Sequence, residues 1–289
     1  TYTTINEPDR SMSYFGRANY ILNDRYYLTF TLRADGTNVF APGNKWGIFP
    51  AASAAWRISD ESFMEWSKDW LSTLKMRASY GKSGNARVGS YWRQTYSPVT
   101  STKNLYYQNE IGQSSLQPAK RLRNENLTWE SKFSTNVGFD LGFFSNRINL
   151  TFDYYNDVTK DLIMEVQLPS NAGYSSQYQN LGQTTNRGVE LSLNANLVQT
   201  KDFYLDFNFN IAFNKNKVDA LYGANGDEMI LSGGGTETGS DNYRVFVGQE
   251  VGLMYGYVSD GMYSFDDFTF NPTTKKWDIV TTKDENGVP

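Results

Sequence analysis

The 289 residues contain no cysteine and no histidine, and no run of 18 apolar residues. Without cysteine there is neither a disulfide framework nor a thiolate metal site. Without histidine the Ser-His-Asp triad is excluded, together with the commonest metal ligand and the commonest general base. Without a long apolar run no transmembrane helix is expected. The charge is nearly balanced, 27 basic against 31 acidic residues and a net −4. A nucleic-acid binder usually carries a basic excess, so that class finds no support. The low mean hydropathy of −0.57 does not exclude a membrane, because a barrel strand shows lipid only every second residue.

What the chain has in excess is aromatic residues, 16% of the total, with 20 Tyr and 18 Phe. They fall in a period-2 pattern. In residues 203–214, Phe203, Leu205, Phe207, Phe209, Ile211 and Phe213 alternate with Tyr204, Asp206, Asn208, Asn210, Ala212 and Asn214. Successive strand side chains point to opposite faces, so one face is apolar and the other polar. Residues 26–35, 133–143, 147–154 and 189–197 repeat the pattern, and 14–22, 48–58 and 74–80 do so more weakly. No charge falls on the apolar face within these windows.

Length decides between a sandwich and a barrel. Globular strands usually run ~5–6 residues. These run about 10–12, which at ~3.3 Å per residue and a tilt near 40° rises roughly 25–30 Å, the height of an outer-membrane apolar band. The connections alternate: short at 23–25, 144–146 and 199–202, long at 36–46, 83–130, 156–187 and 215–243. Outer-membrane barrels have short periplasmic turns and long extracellular loops. If strand 14–22 runs downward, every short turn is periplasmic. Segment 59–72, with Phe63, Met64, Trp66, Trp70 and Leu71, then lies periplasmic too and reads as a short interfacial helix. Pro50 cannot donate to a ladder, which suggests a bulge or a late strand start in 48–58.

No catalytic constellation emerges, and the chain does not read as an enzyme. Asp266-Asp267 and Asp157 with Asp161 are acidic pairs of the kind usually found solvated in loops. Gly233-Gly234-Gly235 lacks the Lys-Ser/Thr of a phosphate loop. No metal site or cofactor is expected. Function sits on loops, and the aromatic-rich stretch with Tyr91, Trp92, Arg93, Tyr96, Tyr106 and Tyr107 is the best ligand candidate. Planar rings stack on sugars, and Trp or Arg anchor protein partners; the plainer reading is loop packing or an interfacial aromatic girdle. Arg17, Arg33, Arg57 and Arg77 fall on the polar, lumen-facing set. Pairing with carboxylates of a plug domain competes there with a solvated wall.

Four stretches resemble the carboxy-terminal barrel half of the SusC/RagA family of TonB-dependent transporters. They are Ser13-Tyr14-Phe15-Gly16-Arg17-Ala18-Asn19-Tyr20; Thr31-Leu32-Arg33-Ala34-Asp35-Gly36 through Trp46-Gly47-Ile48-Phe49-Pro50-Ala51 and Ala54-Ala55-Trp56-Arg57-Ile58; Leu74-Lys75-Met76-Arg77-Ala78-Ser79-Tyr80-Gly81 with Gly84-Asn85; and Asn124-Glu125-Asn126-Leu127-Thr128-Trp129-Glu130. Asn186-Arg187-Gly188-Val189-Glu190-Leu191 and Phe213-Asn214-Lys215-Asn216-Lys217-Val218 also fit, in the same order. Asn38-Val39 departs from the usual Ser-Arg, and loop 91–117 matches no pattern, as expected of a loop that carries substrate choice.

The resemblance implies an all-β fold: an antiparallel transmembrane β-barrel section, about ten long strands of a barrel of about 22, with the plug domain absent. Residues 1–289 then form one partial barrel domain, expected to be truncated at both ends. It further implies residence in the bacterial outer membrane against outer-membrane lipid. Glycan or peptide import would be energised by the TonB-ExbB-ExbD complex through the missing N-terminal region, with a SusD-like surface lipoprotein as partner. Two alternatives stay open, a passive or structural outer-membrane barrel without a plug and a secreted β-sandwich adhesin.

Overall fold

The structure is a computed structural model. It describes residues 9–88, 121–221, 244–254, 262 and 268–278 in full, and only the backbone of 96–98, 116–118, 228–231, 243 and 279. Its main body is one eight-stranded antiparallel sheet whose strand order follows the chain. The strands are β1 (Ser11–Leu22), β2 (Tyr26–Thr37), β3 (Trp46–Arg57), β4 (Leu71–Asn85), β5 (Glu130–Phe143), β6 (Ile148–Lys160), β7 (Gln183–Gln199) and β8 (Tyr204–Ala220). They run 12 to 17 residues. At ~3.3 Å per residue and a barrel tilt the shortest rises about 30 Å, enough to cross an outer membrane. Each of the eight overlaps one of the windows read from alternation, and several run beyond it.

The register shows why the alternation is so regular. Tyr20, Leu28, Ala54, Ala78, Val137, Tyr154, Val189 and Phe213 are successive partners across all eight strands. One residue further along lie Asn19, Thr29, Ser53, Ser79, Asn136, Tyr155, Gly188 and Asn214, again partners across every strand. A slip by one residue in any strand would exchange its two faces. The apolar row and the polar row therefore define a hydrocarbon-facing and a lumen-facing surface. Phe30, Ile48 and Phe213 on the first are 58%, 61% and 66% exposed to solvent, far from buried in the protein itself. No helix among the described residues is long and apolar enough to cross a membrane.

Turn chemistry fixes the short ends. Asn23 and Asp24 both take positive φ, 52° and 54°, the pair required for the primed turn that matches strand twist. Arg25 N donates to Leu22 O at 3.1 Å and closes it. Phe144, Ser145 and Asn146 are left-handed in succession. The Ser72 hydroxyl receives Ser145 N, and Trp70 O receives Phe144 N. Thr200 N donates to Phe203 O, and Phe203 N donates to the Thr200 hydroxyl, closing the β7–β8 turn. The connections at this end are tight turns except 58–70, which carries two 3-10 turns, and the longest connections lie at the other end.

Two local expectations change. Segment 59–72 forms two 3-10 turns, Ile58–Asp60 and Ser62–Ser67, rather than a regular helix. It folds against the hydrocarbon-facing side: Phe63 meets Trp56 edge-on, and Trp70 stacks on Phe143 at 6.1 Å. Pro50 causes neither a bulge nor a late start. β3 begins at Trp46 and pairs through Pro50 with Leu32 without a register shift. The ladder to β4 begins only at Ala51, so no β3–β4 pairing exists at Pro50 to be lost. Above that point the two strands part, and Phe49, 5% exposed, fills the gap against Trp129.

Candidate lumenal wall and loop base

On the lumen face the wall neutralises its own charges. Arg77 on β4 donates Nε to Asp140 Oδ2 at 2.9 Å and Nη2 to Asp140 Oδ1 at 3.0 Å, both on β5. The same Nη2 reaches Asp153 Oδ2 on β6 at 3.2 Å. The two-pronged geometry suits a planar guanidinium. Thr151 donates to Asp140 as well, at 3.4 Å. This network lies directly over Gly138. A Cβ there would stand 2.3 Å from Asp153 Oδ1 and 2.9 Å from Arg77 Nη2, so a side chain at 138 would displace the ion pairs. Lys132 and Asp157 pair at 2.6 Å higher on the same face.

Each of the four arginines named from sequence has a partner within the chain. Arg33 binds Asp35, its neighbour on the same face, at 2.7 Å. Arg57 pairs with Asp60 at 3.2 Å. Arg17 donates to the Thr31 hydroxyl at 3.2 Å. Sequence reasoning missed the acidic halves of these pairs. Asp140 and Asp153 are recognisable only once the register brings β4, β5 and β6 together.

Above the sheet, the long loops carry their own apolar core. Val39, Phe40, Val88 and Leu127 are buried together, with Phe40 fully enclosed. Trp129 packs its ring 5.6 Å from that of Phe40. Residues 121–129 are tied to a small sheet of Ile163–Gln167 and Ser176–Asn180. Asn180 Nδ2 donates to Thr128 O, Thr128 N donates to Asn180 Oδ1, and Asn124 Nδ2 donates to Tyr178 O, each at 2.8 Å. Arg121 grips Glu165 with two bonds at 2.7 and 3.1 Å. That guanidinium, followed by the Ser176 hydroxyl, holds the Glu165 carboxyl below the usual range against the opposing effect of burial.

This tied-down segment is the base from which the aromatic loop departs. Tyr91, Trp92, Arg93, Tyr106 and Tyr107 lie outside the described residues, as does the side chain of Tyr96; its backbone belongs to the strand Tyr96–Pro98, paired with Leu116–Pro118. At the opposite end of the sheet Glu61 gathers three donors: Tyr26 OH at 2.6 Å, Trp56 Nε1 at 3.0 Å and Arg25 Nη1 at 3.1 Å. The Tyr26 bond, then the Trp56 bond, hold its carboxyl below the usual range. No group of three metal-ligating side chains occurs among the described residues.

Comparison with known proteins agrees with this geometry. Residues 1–284 match the family described as TonB dependent receptor-like, beta-barrel. The chain is 37% identical over 244 residues to TonB-dependent receptor P26 of Formosa agariphila, covering 84% of this chain and 24% of that protein. It is 34% identical over 256 residues to TonB-dependent receptor SusC of Bacteroides thetaiotaomicron, covering 88% of this chain and 25% of that protein. A solved RagAB peptide transporter superposes with a TM-score of 0.70 at 27% identity, over 83% of this chain and 25% of that one. The chain thus spans about a quarter of the length of the relatives it matches. Its sheet register, its hydrocarbon-facing and lumen-facing rows and its match over nearly every residue place it in the TonB-dependent receptor β-barrel family of Gram-negative outer membranes, with SusC and RagAB among its homologues.

Proposed function

We propose that the chain is the wall section of an active outer-membrane importer of glycans or peptides. The observation that carries this reading is the continuous likeness to SusC and to the RagAB peptide transporter over more than four fifths of the chain. The wall itself is suited to the task. Its lumen-facing ion pairs are satisfied within the sheet, which gives a polar lining with fixed charges facing the channel. As in that family, residues 1–289 act as part of one barrel domain, energy reaches the receptor through TonB-ExbB-ExbD, and a SusD-like lipoprotein covers the extracellular end. The ligand is met by the aromatic loop, with Tyr91, Trp92, Arg93, Tyr96, Tyr106 and Tyr107 as contact residues. The loop base formed by Phe40, Leu127 and Trp129 supports it by presenting that stretch from a packed platform. The chemistry is transport and recognition, not catalysis.

The test is uptake of labelled oligosaccharides and of labelled peptides by cells with and without the full-length receptor, each with TonB present or depleted. Uptake of one class that needs both the receptor and TonB supports the proposal and names the substrate. Receptor-dependent uptake that persists without TonB overturns it in favour of a passive barrel.

A further inference from the structure

The hydrocarbon-facing surface changes character at one end of the sheet. Above the partners Val189 and Phe213, the next residues on the same face are Arg187 and Lys215, themselves direct partners. Lys217 follows on β8 opposite Thr185. Along β6 the same face ends in Lys160, whose partner is Gln183. Arg187, Lys215, Lys217 and Lys160 are all exposed. The Lys160 ammonium stands 5.7 Å from the Phe133 ring, and Lys82 on β4 approaches the same ring at 5.7 Å.

Arg187 and Lys215 sit directly across a strand pair, where like charges repel. Neither their side chains nor that of Lys217 make a hydrogen bond or ion pair among the described residues. Asp219, the carboxylate at that end of β8, is instead engaged by the Thr185 hydroxyl and the Gln183 amide. On the lumen face, by contrast, Arg33, Arg77 and Lys132 each pair with a carboxylate of the sheet and Arg57 with Asp60 of the turn that follows β3, while Arg17 bonds the Thr31 hydroxyl. Arg187, Lys215, Lys217 and Lys160 stand on the face that meets lipid, beyond the Val189–Phe213 pair where the apolar run of β7 and β8 ends, and so reach the level where the bilayer passes from acyl chain to headgroup. It is at the long-loop end of the sheet, hence in the outer leaflet.

We propose that Arg187, Lys215 and Lys217, extended by Lys160, form a binding site for the phosphate groups of a phosphorylated lipid headgroup in the outer leaflet. Two arguments select this occupant: the site continues the lipid-facing surface without a break, and its charge is complementary to phosphate. The guanidinium offers a two-pronged contact to one phosphate, and the lysines add point charges around it. Each cation near an anionic lipid surface strengthens binding roughly five-fold. The proposal is independent of what the receptor imports.

The full-length receptor, purified in neutral detergent, is titrated with a lipid A carrying two phosphates, with the same lipid after enzymatic dephosphorylation, and with inorganic phosphate alone. Bound lipid is read by native mass spectrometry. The intact receptor retains the phosphorylated lipid, and the combined variant Arg187→Gln, Lys215→Gln, Lys217→Gln retains it on the order of a hundred-fold more weakly. Arg17→Gln on the lumen face leaves retention unchanged. Equal retention by the intact and combined-variant receptors, or equal retention of the dephosphorylated lipid, overturns the proposal. Binding of inorganic phosphate with no preference for the lipid overturns it as a lipid site. Melting in lipid-free detergent separates a structural role: the combined variant is as stable as the original or more so, because repulsion is removed, and a clear loss there counts against the proposal. Each single variant is measured as well, so that a failure of the combined one to assemble still leaves a graded loss of lipid, or its absence, to decide.

Discussion

Arg77 on β4 and Asp153 on β6 share an ion pair at 3.2 Å although a whole strand, β5, lies between them. The contact is possible because the intervening partner is Gly138, which has no side chain to stand in the way. One short residue thus lets a guanidinium bind carboxylates on two strands. Gly138→Ala is expected to destabilise the barrel by about 1–3 kcal/mol through this overlap. Gly16→Ala, where a Cβ meets nothing within 4 Å, is the matched control and stays near neutral. Denaturant titration of both variants in detergent checks the difference, and equal effects refute it.

Removing the cation tests the same network from the other side. Arg77→Met leaves Asp140 and Asp153 facing one another without a counter-charge. The side chains are 33%, 30% and 19% exposed, so the loss is moderated by solvent: about 1–2 kcal/mol is expected. Removing one of the two repelling charges with Asp140→Asn in the Arg77→Met background should recover part of it. A double variant no better than the single one would show that the pair energies are not coupled.

The two faces of β8 provide a direct test of orientation. Phe209 lies on the hydrocarbon-facing row and Asn208 on the lumen-facing side. Phe209→Arg is expected to cost ~2–4 kcal/mol and to reduce the amount of folded barrel in the outer membrane. Asn208→Arg should leave it close to the original. Heat-modifiable gel mobility of membrane fractions reads both.

Acid sensitivity follows from the two carboxyls outside the membrane-crossing strands. Glu61 and Glu165 are held below the usual carboxylate range. A depressed folded-state pKa means that the folded form binds the carboxylate better than the unfolded chain does. The stabilisation is therefore complete above the unfolded value of about 4.3, and it disappears as pH falls through the lower folded value. Glu165→Gln should remove its share at neutral pH and flatten this part of the acid limb. Melting temperature against pH, original minus variant, should converge at the acid end; a constant difference across pH would contradict the assignment.

Much of the wall was legible because each strand repeats a two-residue rule long enough to be read without neighbours. Phe203 to Phe213 is the clearest case, and the register confirms its sidedness against β7. Residues 23–25 read as a short turn, and the left-handed Asn23 and Asp24 give that turn its primed form. What could not be read are properties that belong to pairs. The Arg77 network needs three strands in register. Glu61 collects donors from β2 and β3 that are 35 and 5 residues away. Pro50 suggested a disruption because its missing N–H was visible, while the fact that β4 pairs only from Ala51 was not. The basic set beyond Val189 and Phe213 was overlooked for a related reason: the alternating windows stop where the apolar residues stop, but β7 and β8 run on.

The strand order carries a consequence for how the wall forms. Every strand pairs with its neighbour in sequence, and the β1–β2, β5–β6 and β7–β8 joints close over three or four residues, as hairpins that form in about 1–10 μs. The longest excursion is between β4 and β5, which meet only after residues 86–129. Closing that excursion costs about 2 kcal/mol more chain entropy than closing a tight turn. The three tight hairpins therefore form first, and the slowest closure in the wall's assembly is the meeting of Ala78 with Val137 and of Arg77 with the acids beyond it.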